Sequence, residues 1–140
     1  MNLNGQEDGS KEFDMGMNFL VVDDSVNIRA FVKKTLGLTG LEIDSLHEAG
    51  NGEEGLAVLA KQKIDVVLTD INMPVMDGLE MIRMIKTNSE WDKIIIIVIS
   101  TEGSREKILE AAKIGVKGYL RKPFGPENVL EILNEAMANG

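Results

Sequence analysis

The sequence predicts an α/β domain in which five parallel strands form a doubly wound sheet covered by five helices. Two observations carry that expectation. Short β-branched runs alternate five times with stretches of helical period along the 140 residues. The clearest of these runs, in "DVVLT" and "IIIIVI", are also apolar without interruption, as in strands whose two faces are both covered by crossover helices. No internal repeat or low-complexity linker divides the chain, and its length suits one continuous core.

The elements follow in order. Residues 1–17, "MNLNGQEDGSKEFDMGM", are polar, glycine-containing and without period, which predicts a mobile tail ahead of a domain over 18–140. Met15 and Met17 leave a shorter start open. "NFLVV" (18–22) is a short apolar strand. Residues 26–40 place Ile28, Phe31, Val32 and Leu36 at helical spacing, and Gly37 or Gly40 can end that helix. Residues 41–49 alternate through Leu41, Ile43 and Ser45 until Leu46 breaks the phase, which suits a weaker strand near a sheet edge. Residues 52–63 are helical, although Gly55 costs about 1 kcal/mol relative to alanine. "DVVLT" (65–69) is a buried strand, and 78–87 a helix with Leu79, Ile82 and Ile85 on one face. "IIIIVI" (94–99) is apolar on both sides and therefore expected to be central. Residues 104–115 are a helix stopped by Gly115, 118–120 a short last strand, and 126–138 a helix opening on Pro126.

Composition narrows the function. Hydrophobic residues make up 44% and charged residues 27%, ordinary globular usage. Lys and Arg number 15 against 23 Asp and Glu, a net charge of −8, which disfavours sequence-independent binding to nucleic acid. The absence of cysteine removes disulfides, thiol nucleophiles and thiolate metal sites. The longest apolar run, residues 94–99, is too short to cross a bilayer, and the N-terminus lacks a signal-peptide pattern. A soluble, cytoplasmic protein with no nucleic-acid or membrane partner is expected.

The acids point to the chemistry. In such sheets ligands bind outside the carboxyl ends of the strands, where the strand order reverses. The first strand ends on Asp23, Asp24 and Ser25, and the third on Asp70. If those strands are neighbours, three carboxylates converge, and like charges so close require a cation. A hard divalent ion with oxygen ligands, Mg2+ above all, meets that need. Capping competes for part of this: Asp24 or Ser25 can N-cap the first helix, and Asp77 before Gly78 is expected to cap the next. Asp70 has no helix immediately after it, and Pro74 keeps the segment in a loop. Ser100 and Thr101 end the fourth strand, and Lys122 follows the fifth. A hydroxyl and an ammonium there suit a dianionic group carried on Asp70, although serine at a strand end is commonly a turn residue and lysine commonly solvated.

The motifs "VVDDS", "DINMPVMDG", "VIST" and "LRKPF" together resemble the receiver domain of two-component response regulators, the CheY-like family, over about residues 18–139. The resemblance implies the strand order 2-1-3-4-5 and a role for each matching residue. Asp70 resembles the phosphoacceptor; Asp24 would bind Mg2+ directly, Asp23 mainly through a water, and Asn72 through its backbone carbonyl. Ser100 resembles the switch hydroxyl, Lys122 the lysine that pairs with acceptor and phosphoryl oxygens, and Tyr119 the aromatic switch residue; Lys122–Pro123 resembles the family's cis peptide. Without the family, Tyr119 is a half-buried strand aromatic.

The implied donor is a histidine kinase or histidine phosphotransfer protein, and the output a contact with a downstream protein through helix four, strand five and helix five, with chemotaxis one candidate pathway. The chain would be a switch rather than an enzyme, catalysing only its own phosphorylation and dephosphorylation.

Several positions depart from the family or carry no role. Thr101 stands where many relatives have alanine or glycine, so its bulk would slow entry to the site. Ile71 replaces a tryptophan beside the acceptor, and the one tryptophan, Trp91, lies in a polar loop as a poor reporter of the site. Asn72 and Glu102 match the chemotaxis pattern and imply fairly quick self-dephosphorylation. His47 is expected to be an ordinary surface or edge histidine, and the methionines packing residues. Two rivals remain. A Mg2+-dependent aspartyl-phosphate phosphatase of the haloacid dehalogenase type would need "DxDxT" where the sequence has "DDSVN". A flavodoxin-like cofactor binder would need a phosphate loop after the first strand.

Overall fold

The computed structural model describes residues 16–100 and 105–138. Residues 1–15, most of the predicted tail, and Ser104, the first residue of the predicted fourth helix, lie outside the described residues. The elements are β1 (Met17–Val22), α1 (Val26–Gly37), β2 (Ile43–Ala49), α2 (Gly52–Lys61), β3 (Val66–Thr69), α3 (Gly78–Lys86), a 3₁₀ turn (Ser89–Trp91), β4 (Ile95–Ser100), α4 (Arg105–Lys113), β5 (Gly118–Arg121) and α5 (Pro126–Ala138). The sheet runs β2-β1-β3-β4-β5 with every pair parallel. This is the order the resemblance implies, and it makes β1 and β3 neighbours, with Phe19 opposite Val66 and Val22 opposite Thr69.

Successive strand residues face opposite sides, and both sides are buried. Leu20, Val22, Val67, Ile96 and Val98 pack with Leu59 of α2, Leu79 and Ile82 of α3 and Ala111 of α4. Phe19, Val21, Leu68, Ile97 and Ile99 pack with Val32 and Leu36 of α1 and Val129 and Leu133 of α5. Each such aliphatic side chain withdrawn from water contributes about 1.5–3 kcal/mol before entropy is counted, so the sheet is the most strongly held part of the molecule. No helix among the described residues is long and apolar enough to cross a membrane.

The differences from expectation have local causes. β1 begins one residue early because Met17 is buried and its N–H donates to the Glu42 carbonyl at 3.1 Å. α1 stops at Gly37 rather than 40: Leu38 N–H closes on Lys34, the Thr39 hydroxyl donates to the Leu36 carbonyl, and Gly40 turns the chain at φ +82°. β2 is an edge strand as expected. β4 is interior, but the middle of the sheet belongs to β3, because an apolar run on both faces reports burial and not rank. β4 also includes Ser100, which pairs with Arg121. Trp91 ends a 3₁₀ turn capped by the Asn88 side chain, and is half-buried against the core rather than in a plain polar loop.

Candidate functional site

A parallel sheet presents all its carboxyl ends along one edge, and five side chains singled out from the sequence stand there. Asp23 and Asp24 follow β1, Asp70 follows β3, Ser100 ends β4 and Lys122 follows β5. Asp23, Asp24 and Asp70 each offer a carboxylate oxygen, and the three atoms lie within 4.8 Å of one another. Lys122 closes the group: its Nζ donates to Asp23 Oδ2 at 3.0 Å and lies 3.7 Å from Asp70 Oδ2. Asp23 is buried, Asp24 exposed and Asp70 between the two.

Backbone geometry sets these positions. Asp70 N–H donates to the Val22 carbonyl at 3.0 Å, so the Asp70 loop leaves the sheet directly beside Asp23. The remaining Asp23 oxygen, Oδ1, accepts from Ser25 N–H at 2.9 Å, and Asp70 Oδ1 accepts from Ile71 N–H at 2.7 Å. Of the two capping candidates at α1, Ser25 is the cap, accepting from Ile28 N–H, which leaves Asp24 for the crevice. Asp77 caps α3 as expected, accepting from Glu80 N–H at 2.9 Å. Between Pro74 and Met76 the loop after Asp70 turns through Val75 at φ +69°, a left-handed conformation uncommon for a β-branched residue.

Three contacts were not legible as site features. Gly78 lies behind Asp70: an added Cβ would stand 2.1 Å from the Asp70 carbonyl oxygen and 3.0 Å from Ile71 Cα, so no larger residue fits without moving the loop. Arg29 donates from Nη1 to the Asp23 carbonyl at 2.5 Å while its Nε binds Glu48. Lys107 of α4 donates to the Asn72 side-chain oxygen at 2.6 Å. The acid–glycine pair at Asp77 and Gly78 was a signal for the first. For the two cations, no sequence spacing gives their contact.

Burial raises the Asp70 carboxyl above its ordinary value, and the charges of Asp23 and Asp24 push the same way; Lys122 and the Ile71 N–H oppose them. One ammonium among three carboxylates leaves the cluster short of positive charge. The donor set is all hard oxygen and the atoms are close enough to share one ion, so these residues fit a hard divalent cation of the Mg2+ kind.

The other predicted residues fall as follows. Ser100 is buried at the end of β4, and its carbonyl accepts from Lys122 N–H at 2.7 Å. Tyr119 is half-buried on β5, opposite Val98 and against the same core face as α4. The Lys122–Pro123 peptide is cis. Asn72 is exposed, two residues after Asp70. Thr101 and Glu102 lie outside the described residues. His47 sits on the edge strand β2, paired with Leu20.

A family model described as the response regulator receiver domain matches residues 19–134. The chain is 38% identical over 125 residues to a chemotaxis protein CheY homolog of Campylobacter jejuni, covering 89% of this chain and 95% of that protein. It is 40% identical over 118 residues to chemotaxis protein CheY1 of Helicobacter pylori, covering 84% and 94%. Among solved structures, chemotaxis protein CheY4 of Vibrio cholerae superposes with a TM-score of 0.75 at 38% identity, over 86% of this chain and 98% of that one. The receiver domain of a sensor histidine kinase from Pseudomonas aeruginosa, with a magnesium ion coordinated in its active site cleft, shares the fold with a TM-score of 0.75 at 22% identity, over 88% and 98%. Matching motifs, sheet order and relatives lead to one assignment: this chain belongs to the response regulator receiver domains of two-component signalling.

Proposed function

We propose that the chain is a phosphoacceptor switch that takes a phosphoryl group from a phosphohistidine donor, on a histidine kinase or a histidine phosphotransfer protein, onto Asp70. The observation that supports this most is the meeting of Asp23, Asp24 and Asp70 with Lys122 at the carboxyl edge of the sheet.

Phosphoryl transfer is largely a matter of placement and charge neutralisation. Asp70 Oδ1 is occupied by the Ile71 N–H, so Oδ2, which faces Lys122, is the attacking oxygen. Its bond to phosphorus forms as the donor's P–N bond breaks, and the imidazole departs with the electron pair. Lys122 then pairs with the phosphoryl oxygens, and the Ser100 hydroxyl donates to another of them. Asp24, Asp70 and the Asn72 carbonyl would hold Mg2+, with Asp23 contributing mainly through a water, and the ion would supply positive charge that offsets carboxylates and phosphoryl group alike. In hydrolysis a water oxygen bonds to phosphorus and gives up a proton to solvent as the Asp70 O–P bond breaks, with Asn72 beside its approach. The chain therefore acts as a switch and not as a turnover enzyme.

Phosphorylation adds roughly −1.5 to −2 charges. Ser100 is drawn towards them, Tyr119 follows into the space released, and the surface formed by α4, β5 and α5 changes for a downstream protein. This biases an existing equilibrium between two states. The relatives named as chemotaxis proteins favour that kind of pathway.

Incubation with Mg2+ and phosphoramidate, followed by intact mass, tests the proposal. One added phosphoryl group, absent without Mg2+ and absent in Asp70→Asn, is the expected result. An unmodified chain overturns it, and multiple turnover of phosphate esters would support the aspartyl-phosphate phosphatase instead. Loss of the added group over many hours, rather than faster, would count against quick self-dephosphorylation.

A further inference from the structure

α4 is the least embedded of the helices. Ala111 is its one buried residue, whereas α3 buries five. An ion pair between Arg83 and Glu110 joins it to α3 at the surface. On the side of the acceptor loop it has a different anchor: Lys107, in its first turn, donates from Nζ to Asn72 Oδ1 at 2.6 Å. Among the described residues this is the one polar side-chain contact between residues 70–77 and α4.

The partner of that ammonium is a neutral amide oxygen two residues from Asp70. A phosphoryl group on Asp70 would place about −1.5 to −2 charges and three acceptor oxygens in the same neighbourhood. The Lys107–Asn72 bond already has an ionised donor, so what a charged phosphoryl group adds is the attraction of opposite charges that a neutral amide lacks. Lysine carries a compact charge on a flexible stem that can change partner without moving the backbone. The loaded acceptor therefore competes with Asn72 for Lys107.

We infer that Lys107 is a positioning residue that ties α4 to the acceptor loop through Asn72 in the unloaded protein and passes its ammonium to the phosphoryl oxygens once Asp70 is loaded. α4 thereby has its own electrostatic link to the state of the acceptor, separate from the path through Ser100 and Tyr119. The inference rests on Asp70 being the acceptor proposed above.

The test uses the full chain, as parent, Lys107→Gln and Lys107→Arg. Intact mass after phosphoramidate and Mg2+ comes first: an unmodified parent overturns the Asp70 reading and this inference with it, whereas a modified parent leaves the next two measurements to decide on Lys107 alone. Amide hydrogen exchange over residues 105–113 of the unloaded protein then reads the tether, and titration with beryllofluoride, a phosphoryl mimic, reads the transfer. Lys107→Gln should speed exchange in α4 and weaken the mimic by about two- to fivefold, the size of an exposed charge contact. Lys107→Arg should restore both, and the difference in affinity should shrink at high salt. Parental exchange or parental affinity in Lys107→Gln overturns the inference, as does an affinity loss that salt leaves unchanged.

Discussion

At the scale of single residues, Asp70 shows how the fold carries a cost for its site. Burial and two neighbouring acids raise its carboxyl above the ordinary value of 3.8, against the pull of Lys122. A carboxyl that holds its proton more tightly folded than unfolded favours the fold most below 3.8, and that contribution is lost as pH rises through the raised value. The ionised Asp70 carboxylate is therefore a net burden on the metal-free protein at neutral pH. With a chelator present, Asp70→Asn should melt higher than the parent, by roughly 3–6 °C for each kcal/mol relieved. Thermal melts across pH should show the gap closing as the solution acidifies, and equal melting at neutral pH would contradict the argument. Magnesium should stabilise the parent and leave Asp70→Asn less affected, since a ligand stabilises only the state that binds it.

At the scale of elements, much was legible because apolar periodicity and capping are local. "DVVLT" and "IIIIVI" gave interior strands since both faces meet helices, and Asp77 gave the start of α3. Boundaries slipped where side chains outside the local pattern decide: Thr39 and Gly40 shorten α1, and Asn88 winds a 3₁₀ turn that carries Trp91 onto the core. The crevice was legible as strand-end acids with Lys122, but its second layer was not. The contacts of Arg29 with the Asp23 carbonyl and of Lys107 with Asn72 depend on how helices lie over the sheet. Gly78 belongs to that layer as the point where α3 touches the back of the acceptor. Alanine there normally favours a helix, yet its Cβ would meet backbone atoms that cannot yield. Gly78→Ala should destabilise by about 1–3 kcal/mol, as overpacking does, and slow modification of Asp70. Urea unfolding and timed intact mass check the two effects, and parental values in both would exclude the contact as a constraint.

At the scale of the whole molecule, the two ends of the sheet differ in kind. The carboxyl edge gathers the acids and Lys122, while Trp91, preceding β4, lies at the amino edge beside a cavity of about 430 Å3 lined also by Leu59, Lys63 and Ile94. The structure thus gives a reason for Trp91 to be insensitive to the crevice that its sequence position alone did not supply. Magnesium should leave its emission nearly unchanged, within about a tenth, because the residue is separated from the ion by the length of the strands; strong quenching would place an ion at the wrong edge. The −8 charge of the chain concerns its solubility and partners rather than the fold.

The pairing of β1 with β3 also sets the order in which the crevice is assembled. Asp24 and Asp70 meet only across that pairing, and Lys122 is brought in by β5, the last of the five strands in chain order. A nascent chain still missing that strand has the acids but not their counter-ion. The proposed acceptor therefore gains its ammonium partner only once β5 is in place, and a fragment that stops short of β5 should stay unmodified by phosphoramidate.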